Sequence, residues 1–237
     1  MKFSRTVLQS LEQVDGLLRG GGADSSGAGG RFWRLVLCTA VFGGGYGLVM
    51  GTFSGLRPDH ALQLVYSSVK APLLLLCSFA LSLPSFFVLN SLAGLRRDFS
   101  EAVRAVAATQ AGLTVVLCSF APFTAVWYLS SADYAAAVGF NGLMFAAACV
   151  VSHVLLRRHY RPLILRHGRH RWMLACWLVI YCFVSIQLAW VLRPFIGFPG
   201  QPTEFFRSNV FQENAYEVVW RLAWYLLTGD WRPGNSS

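Results

Sequence analysis

The chain contains few charged residues and very few acids. Only 13% of its 237 residues are charged, and 11 of them are Asp or Glu, whereas an average soluble domain carries about 25% charge. Lysine occurs only as Lys2 and Lys70, so arginine supplies nearly all of the basic side chains. Mean hydropathy is +0.48. This composition excludes an ordinary soluble domain and is typical of a chain whose main solvent is lipid.

Residue patterns that support catalysis or metal binding are also missing. No CxxC pair or Cys/His cluster occurs, which argues against a disulfide framework and a zinc site. No phosphate-binding glycine loop, HExxH motif or pair of carboxylates within an apolar run occurs either. Ser54 in "GTFSG" lacks the GxSG spacing of intramembrane serine proteases, and we expect His153 at the opposite membrane face. We therefore predict no enzyme activity, no metal and no cofactor. The six cysteines all lie in apolar runs, namely Cys38, Cys77, Cys118, Cys149, Cys176 and Cys182.

Five apolar runs account for most of the chain. Each has the roughly 20 residues that a helix needs to cross a bilayer, and open strands are excluded because their edges would be unsatisfied in lipid. The sequence predicts an all-α membrane protein, a bundle of five transmembrane helices within residues 31–192. The predicted spans are residues 32–53, 71–95, 105–129, 134–156 and 172–192.

Amphipathic segments flank this region on both sides. Residues 1–19 show apolar residues at helical spacing, which predicts an N-terminal helix on a membrane surface or on a partner, followed by a Gly/Ser linker at 20–30. Residues 193–237 begin as a proline-punctuated loop, and "VFQENAYEVVWRLAWYLL" at 210–227 has a helical pattern with three charges. We expect an interfacial helix there. The alternative is a sixth, tilted span.

Basic residues lie mostly on one predicted side of the membrane. Fourteen of the 20 lie before or at the start of span one, or in the connectors between spans two and three and between spans four and five. Because cytoplasmic connectors are enriched in Arg and Lys, the pattern predicts an inner-membrane protein with a cytoplasmic N-terminus. With five spans, the C-terminus would lie outside.

The densest basic segment is "LLRRHYRPLILRHGRHRW" at 155–172. A nucleic-acid site would need stacking aromatics, and only Tyr160 is present; His159, His167 and His170 lack a nearby Cys or carboxylate for a metal. We predict contact with anionic phospholipid headgroups, since juxtamembrane arginines favour them by about 1 kcal/mol each. The residues are Arg157, Arg158, Arg161, Arg166, Arg169 and Arg171.

Small residues recur at every fourth position of span one. This stripe lets another helix approach closely in lipid. Span four has a similar small face, so we expect spans one and four to pair, or one of them to form a homo-oligomer or to contact a membrane-protein partner. The predicted packing residues are Gly43, Gly47, Gly51, Gly55, Gly139 and Gly142.

Polar residues inside the spans are modest, and none is acidic. If a hydrophilic path exists, the residues that we expect to line it are Gln110, Asn141 and Gln187. The alternative is that they form hydrogen bonds between helices.

Two family resemblances concern the layout of the spans. Residues 71–192, notably "LSLPSFFVLN" and "APFTAVWYLSSADY", resemble the Yip1-like membrane domain, which implies an organising or partner-binding role in a membrane. The N-terminal amphipathic segment with a sixth span at 210–227 would instead resemble ABC-2-type permease subunits, which implies a transporter component. Neither resemblance assigns a role to a particular residue.

Overall fold

Six α-helices form the described part of the chain, which comprises residues 28–55, 61–197 and 205–206 of a computed structural model. We number them α1 to α6 in chain order. They are α1 (Ala28–Gly51), α2 (Ala61–Leu92), α3 (Phe99–Ser119), α4 (Ala121–Ser130), α5 (Tyr134–Arg166) and α6 (Arg169–Val191). The predicted segments 1–19 and 210–227 lie outside the described residues.

Five stretches of these residues are long and apolar enough to cross a membrane. The third stretch includes two helices, because α3 ends at Ser119 and α4 begins at Ala121. Pro122 lies in the first turn of α4, where its missing N–H costs no hydrogen bond. The prediction of an all-helical bundle with five spans is therefore confirmed at this level.

Each helix packs against particular neighbours. Helix α1 lies against α2 and α3, while α5 packs mainly on α3 and α6 mainly on α2. Two apolar clusters fill the interior. The cluster around Phe86, Tyr160 and Trp177 lies in the half that contains the arginines, which we call the arginine-rich end. The cluster around Tyr46 and Met50 lies in the half that we call the opposite end.

The glycines of α1 make the closest helix contact. A Cβ built on Gly47 would overlap the carbonyl oxygen of Ser67 in α2, and one on Gly51 would lie 2.7 Å from Cα of Leu64. A Cβ on Gly43 would lie 3.4 Å from Pro72. The two backbones thus touch along α1, which only residues without a side chain allow.

The expected pairing of spans one and four through their small residues is wrong. The partner of the α1 glycines is α2, and a Cβ on Gly139 or Gly142 in α5 would meet no atom within 4 Å. Gly55 is not part of the helix contact, because it ends the short turn Thr52–Ser54 with φ 96°. This backbone conformation strains other L-residues, and it explains this glycine without any helix partner.

We expect Gly47→Ala to destabilise the protein, because the methyl group forces α1 and α2 apart. Overpacking of this kind costs about 1–3 kcal/mol. The loss is measured as a fall in thermal unfolding temperature in mild detergent. Gly142→Ala is the matched control in detergent that keeps the chain monomeric, and it should be neutral or slightly stabilising there, since alanine favours helix and no atom of the chain lies near the added methyl group. Equal stability of the two variants would contradict the α1–α2 contact.

Candidate functional site

Helix α5 continues through most of the arginine-rich segment. The segment predicted as the connector at 157–171 is mostly helical, because α5 ends only at Arg166 and α6 begins at Arg169. With 33 residues, α5 is about 50 Å long, whereas the hydrocarbon core is about 30 Å thick. The helix therefore extends well beyond the hydrocarbon core of a bilayer.

The arginines of α5 divide between two faces. At about 100° per residue, Arg157, Arg158 and Arg161 fall within about 100° of each other, and all three are exposed. The same face carries Val150 and Val154, which are 68% and 65% exposed. We call these three residues the arginine face. The arginine face directly follows the uncovered apolar surface of α5, at the depth where the acyl chains of a lipid would give way to its headgroup.

Arg166 lies on the opposite side of α5 from Arg157 and, although half exposed, contacts two acids at the start of α3. Its Nη1 atom donates a hydrogen bond of 2.6 Å to Oε2 of Glu101 and lies 3.9 Å from Oδ1 of Asp98. Arg169 donates to the carbonyl oxygen of Ala93 at 3.3 Å. Both arginines of the predicted lipid-contact set therefore have intramolecular partners. Arg171, the sixth member, is exposed beside Trp172.

A buried histidine completes the contacts at this end. His170 is fully buried, and its Nε2 atom lies 3.1 Å from Oδ2 of Asp98. The ring of Tyr160 packs edge-on against the imidazole at 5.7 Å. Because Asp98 precedes α3 while Tyr160 and His170 belong to α5 and α6, this cluster joins three helices. We call Asp98, Glu101, Arg166 and His170 the polar interlock.

The interlock was not predicted from the sequence, although its elements were visible. Asp98 and Glu101 are the only acids near the connector between spans two and three, and no role was predicted for either. Two acids at i and i+3 opposite a basic segment indicate a helix-to-helix contact. A metal interpretation gains no support, since the described residues contain no group of three His, Cys, Asp or Glu that could hold an ion.

The three predicted polar-path residues belong to separate contacts. Gln110 in α3 donates to the carbonyl oxygen of Leu75 at 3.0 Å and to Tyr181 Oη in α6 at 2.9 Å. Asn141 in α5 accepts a 2.9 Å hydrogen bond from Tyr46 Oη. It is thus linked to α1 near the opposite end.

Tyr128 in α4 also takes part in the contact between Tyr46 and Asn141. Asn141 donates through Nδ2 to Tyr128 Oη at 2.5 Å. Gln187 in α6 has a buried Oε1 without a hydrogen-bond partner in the described part. The described geometry is that of helix-to-helix hydrogen bonding rather than of one continuous path.

Comparison of the chain with protein-family models, with curated proteins and with solved structures finds no match. The resemblance to the Yip1-like membrane domain therefore stays a prediction, as does the resemblance to permease subunits.

We expect His170→Phe to destabilise the bundle by about 1–3 kcal/mol, because the ring volume is kept while Asp98 loses a hydrogen-bond partner. Thermal unfolding in detergent measures the change. His167→Phe is the matched control, since His167 is exposed in the loop between α5 and α6. If the two variants unfold at the same temperature, the His170–Asp98 contact contributes nothing to stability.

Proposed function

We propose that the protein is a non-catalytic, multi-pass membrane protein that binds anionic phospholipid headgroups through its arginine face. Its membrane would be the inner membrane, with the arginine-rich end and the N-terminus on the cytoplasmic side, where basic residues accumulate. The five long apolar helices support the membrane location. The described polar contacts of Gln110 and Asn141 between helices support a packing role over a chemical one.

The position of the arginine face carries the proposal. Three exposed guanidinium groups follow directly on the uncovered valines of the same face of α5. A guanidinium at this depth can form paired hydrogen bonds with phosphate oxygens, and its aliphatic stem lies along apolar surface. Exposed Trp172 near Arg171 adds an aromatic side chain of the kind that favours the membrane interface.

A second part of the proposal concerns a membrane-protein partner or a second copy of the chain. Gly139 and Gly142 are exposed on α5, and neither has a neighbour where a Cβ would be. Small residues of this kind allow another helix to approach closely in lipid. Since α1 is already covered by α2, α5 is the helix where we expect such contact.

We expect Arg161→Gln to weaken retention of phosphatidylglycerol by about fivefold, which corresponds to about 1 kcal/mol for one arginine. Arg166→Gln is the matched control on the same helix, and it should leave lipid retention unchanged because Arg166 contacts Glu101. Native mass spectrometry of the full chain measures bound lipid, with phosphatidylcholine as the neutral comparison. Equal losses in both variants would contradict the division of the arginines into two faces.

The alternative function is a permease subunit of a transporter with a sixth span at 210–227. These residues lie outside the described part, and nothing in the described residues favours a transport path. A reporter fused to the C-terminus distinguishes the two. We expect an extracytoplasmic C-terminus, active as a phosphatase fusion and dark as a green fluorescent protein fusion. The reverse result would favour six spans and the permease.

A further inference from the structure

Three buried hydrogen-bond donors line one side of α2 at the opposite end. Gln63, Ser67 and Lys70 follow each other at i, i+4 and i+7 in the first three turns of the helix, so they share a face. Their exposed fractions are 1%, 1% and 0%. We call these three residues the donor triad.

The triad donates to the backbone of the segment that follows α6. Lys70 Nζ lies 2.8 Å from the carbonyl oxygen of Pro194, and Ser67 Oγ lies 2.5 Å from that of Phe195. Gln63 Nε2 lies 3.4 Å from the same Phe195 oxygen and 3.1 Å from Ser67 Oγ. Two carbonyl oxygens thus lie where the three side chains converge.

The ammonium group of Lys70 has only neutral neighbours among the contacts that the structure describes. Besides the Pro194 carbonyl, the ring of Phe205 lies 4.9 Å from Nζ. The ion pairs within the described residues involve Arg166 and His170, not Lys70. A buried ammonium without an opposite charge is costly, and an ionisable residue within a span indicates a functional site. Holding a loop in place would require only neutral donors.

The other side of the triad is rigid. Gly47 and Gly51 of α1 pack against the backbone of α2 at Ser67, Gln63 and Leu64. The positive end of the α2 dipole lies beside Gln63, which is in the first turn of the helix. The donors are therefore held in position by the backbone contact between α1 and α2.

We propose that the donor triad is a binding site for a phosphate oxyanion, either free or in a lipid headgroup, and that the carbonyl oxygens of Pro194 and Phe195 occupy it in this conformation. The two carbonyl oxygens stand where two oxygens of the anion would bind, and the anion supplies the negative charge that the carbonyls lack. The segment after α6 then acts as an internal substitute for the ligand. This site lies at the other end of the bundle from the arginine face and is independent of the proposed function.

The experiment uses the full chain carrying Arg157→Gln, Arg158→Gln and Arg161→Gln, so that binding at the arginine face does not contribute. Thermal unfolding is followed with inorganic phosphate in a phosphatidylcholine nanodisc, and separately in a nanodisc containing phosphatidylglycerol. We expect either inorganic phosphate or phosphatidylglycerol to raise the unfolding temperature of the protein. Ser67→Ala should weaken the apparent affinity about tenfold, since a hydrogen bond to a charged group is lost. Lys70→Met should abolish the effect and Lys70→Arg should retain it.

Ser68→Ala is the matched control, because Ser68 Oγ donates to the carbonyl oxygen of Val65 within the same helix. Stabilisation by phosphate identifies a soluble anion, and stabilisation by phosphatidylglycerol alone identifies a lipid headgroup. The proposal is overturned if neither stabilises the protein, or if Ser67→Ala behaves like Ser68→Ala. A second result would also overturn the proposal. If adding Glu204→Gln to the Lys70→Met variant restores the lost stability, then Glu204 is the counter-ion of Lys70 and no external anion is needed. Ser67→Ala decides the matter if Lys70→Met does not fold.

Discussion

The contact between the backbones of α1 and α2 is the constraint on which the bundle depends. In lipid there is no hydrophobic drive to bring two apolar helices together, so close packing and weak Cα–H···O contacts must supply the association. Gly43, Gly47 and Gly51 provide this along one side of α1. Because α1 also packs on α3, and because α2 and α3 in turn carry α6 and α5, the positions of the remaining helices follow from this pair.

Charged groups have different partners and different exposure at the two ends of the bundle. At the arginine-rich end, charges pair with one another in the polar interlock, while the arginine face stays open to its surroundings. At the opposite end, Lys70 is enclosed and its described partners are backbone carbonyl and aromatic ring. An exposed guanidinium costs little, whereas an enclosed ammonium costs much. A positive charge therefore has a low energetic cost at the arginine-rich end and a high one at the opposite end.

The sequence predicted the helical class and the number of long apolar stretches, because run length determines these features. It predicted the third span as a single run, without the end of α3 at Ser119 and the start of α4 at Ala121. It did not predict which helices touch. A stripe such as Gly43–Gly47–Gly51 shows that a close contact exists but not which helix makes it, and the pair Ser67 and Ala71 in α2, which meets Gly47, is a weaker signal than the glycines of α1 and α5. Arg166 was grouped with Arg161 for a similar reason. In the sequence, the apolar run ends at Leu156. In the structure, α5 continues for ten further residues, and this continuation brings Arg166 within hydrogen-bond distance of Glu101. Lys70 looked like one more basic residue at the edge of a span, since its burial depends on a segment more than 120 residues later.

The short loop between α5 and α6 has a consequence for the order of assembly. Although only His167 and Gly168 separate the two helices, each packs mainly on an earlier helix rather than on its neighbour. The hairpin therefore does not hold together through contacts between its own arms. Each arm can insert by its own apolar length, but its place in the bundle is set by α3 or α2, so the first half of the chain is the surface on which the second half packs.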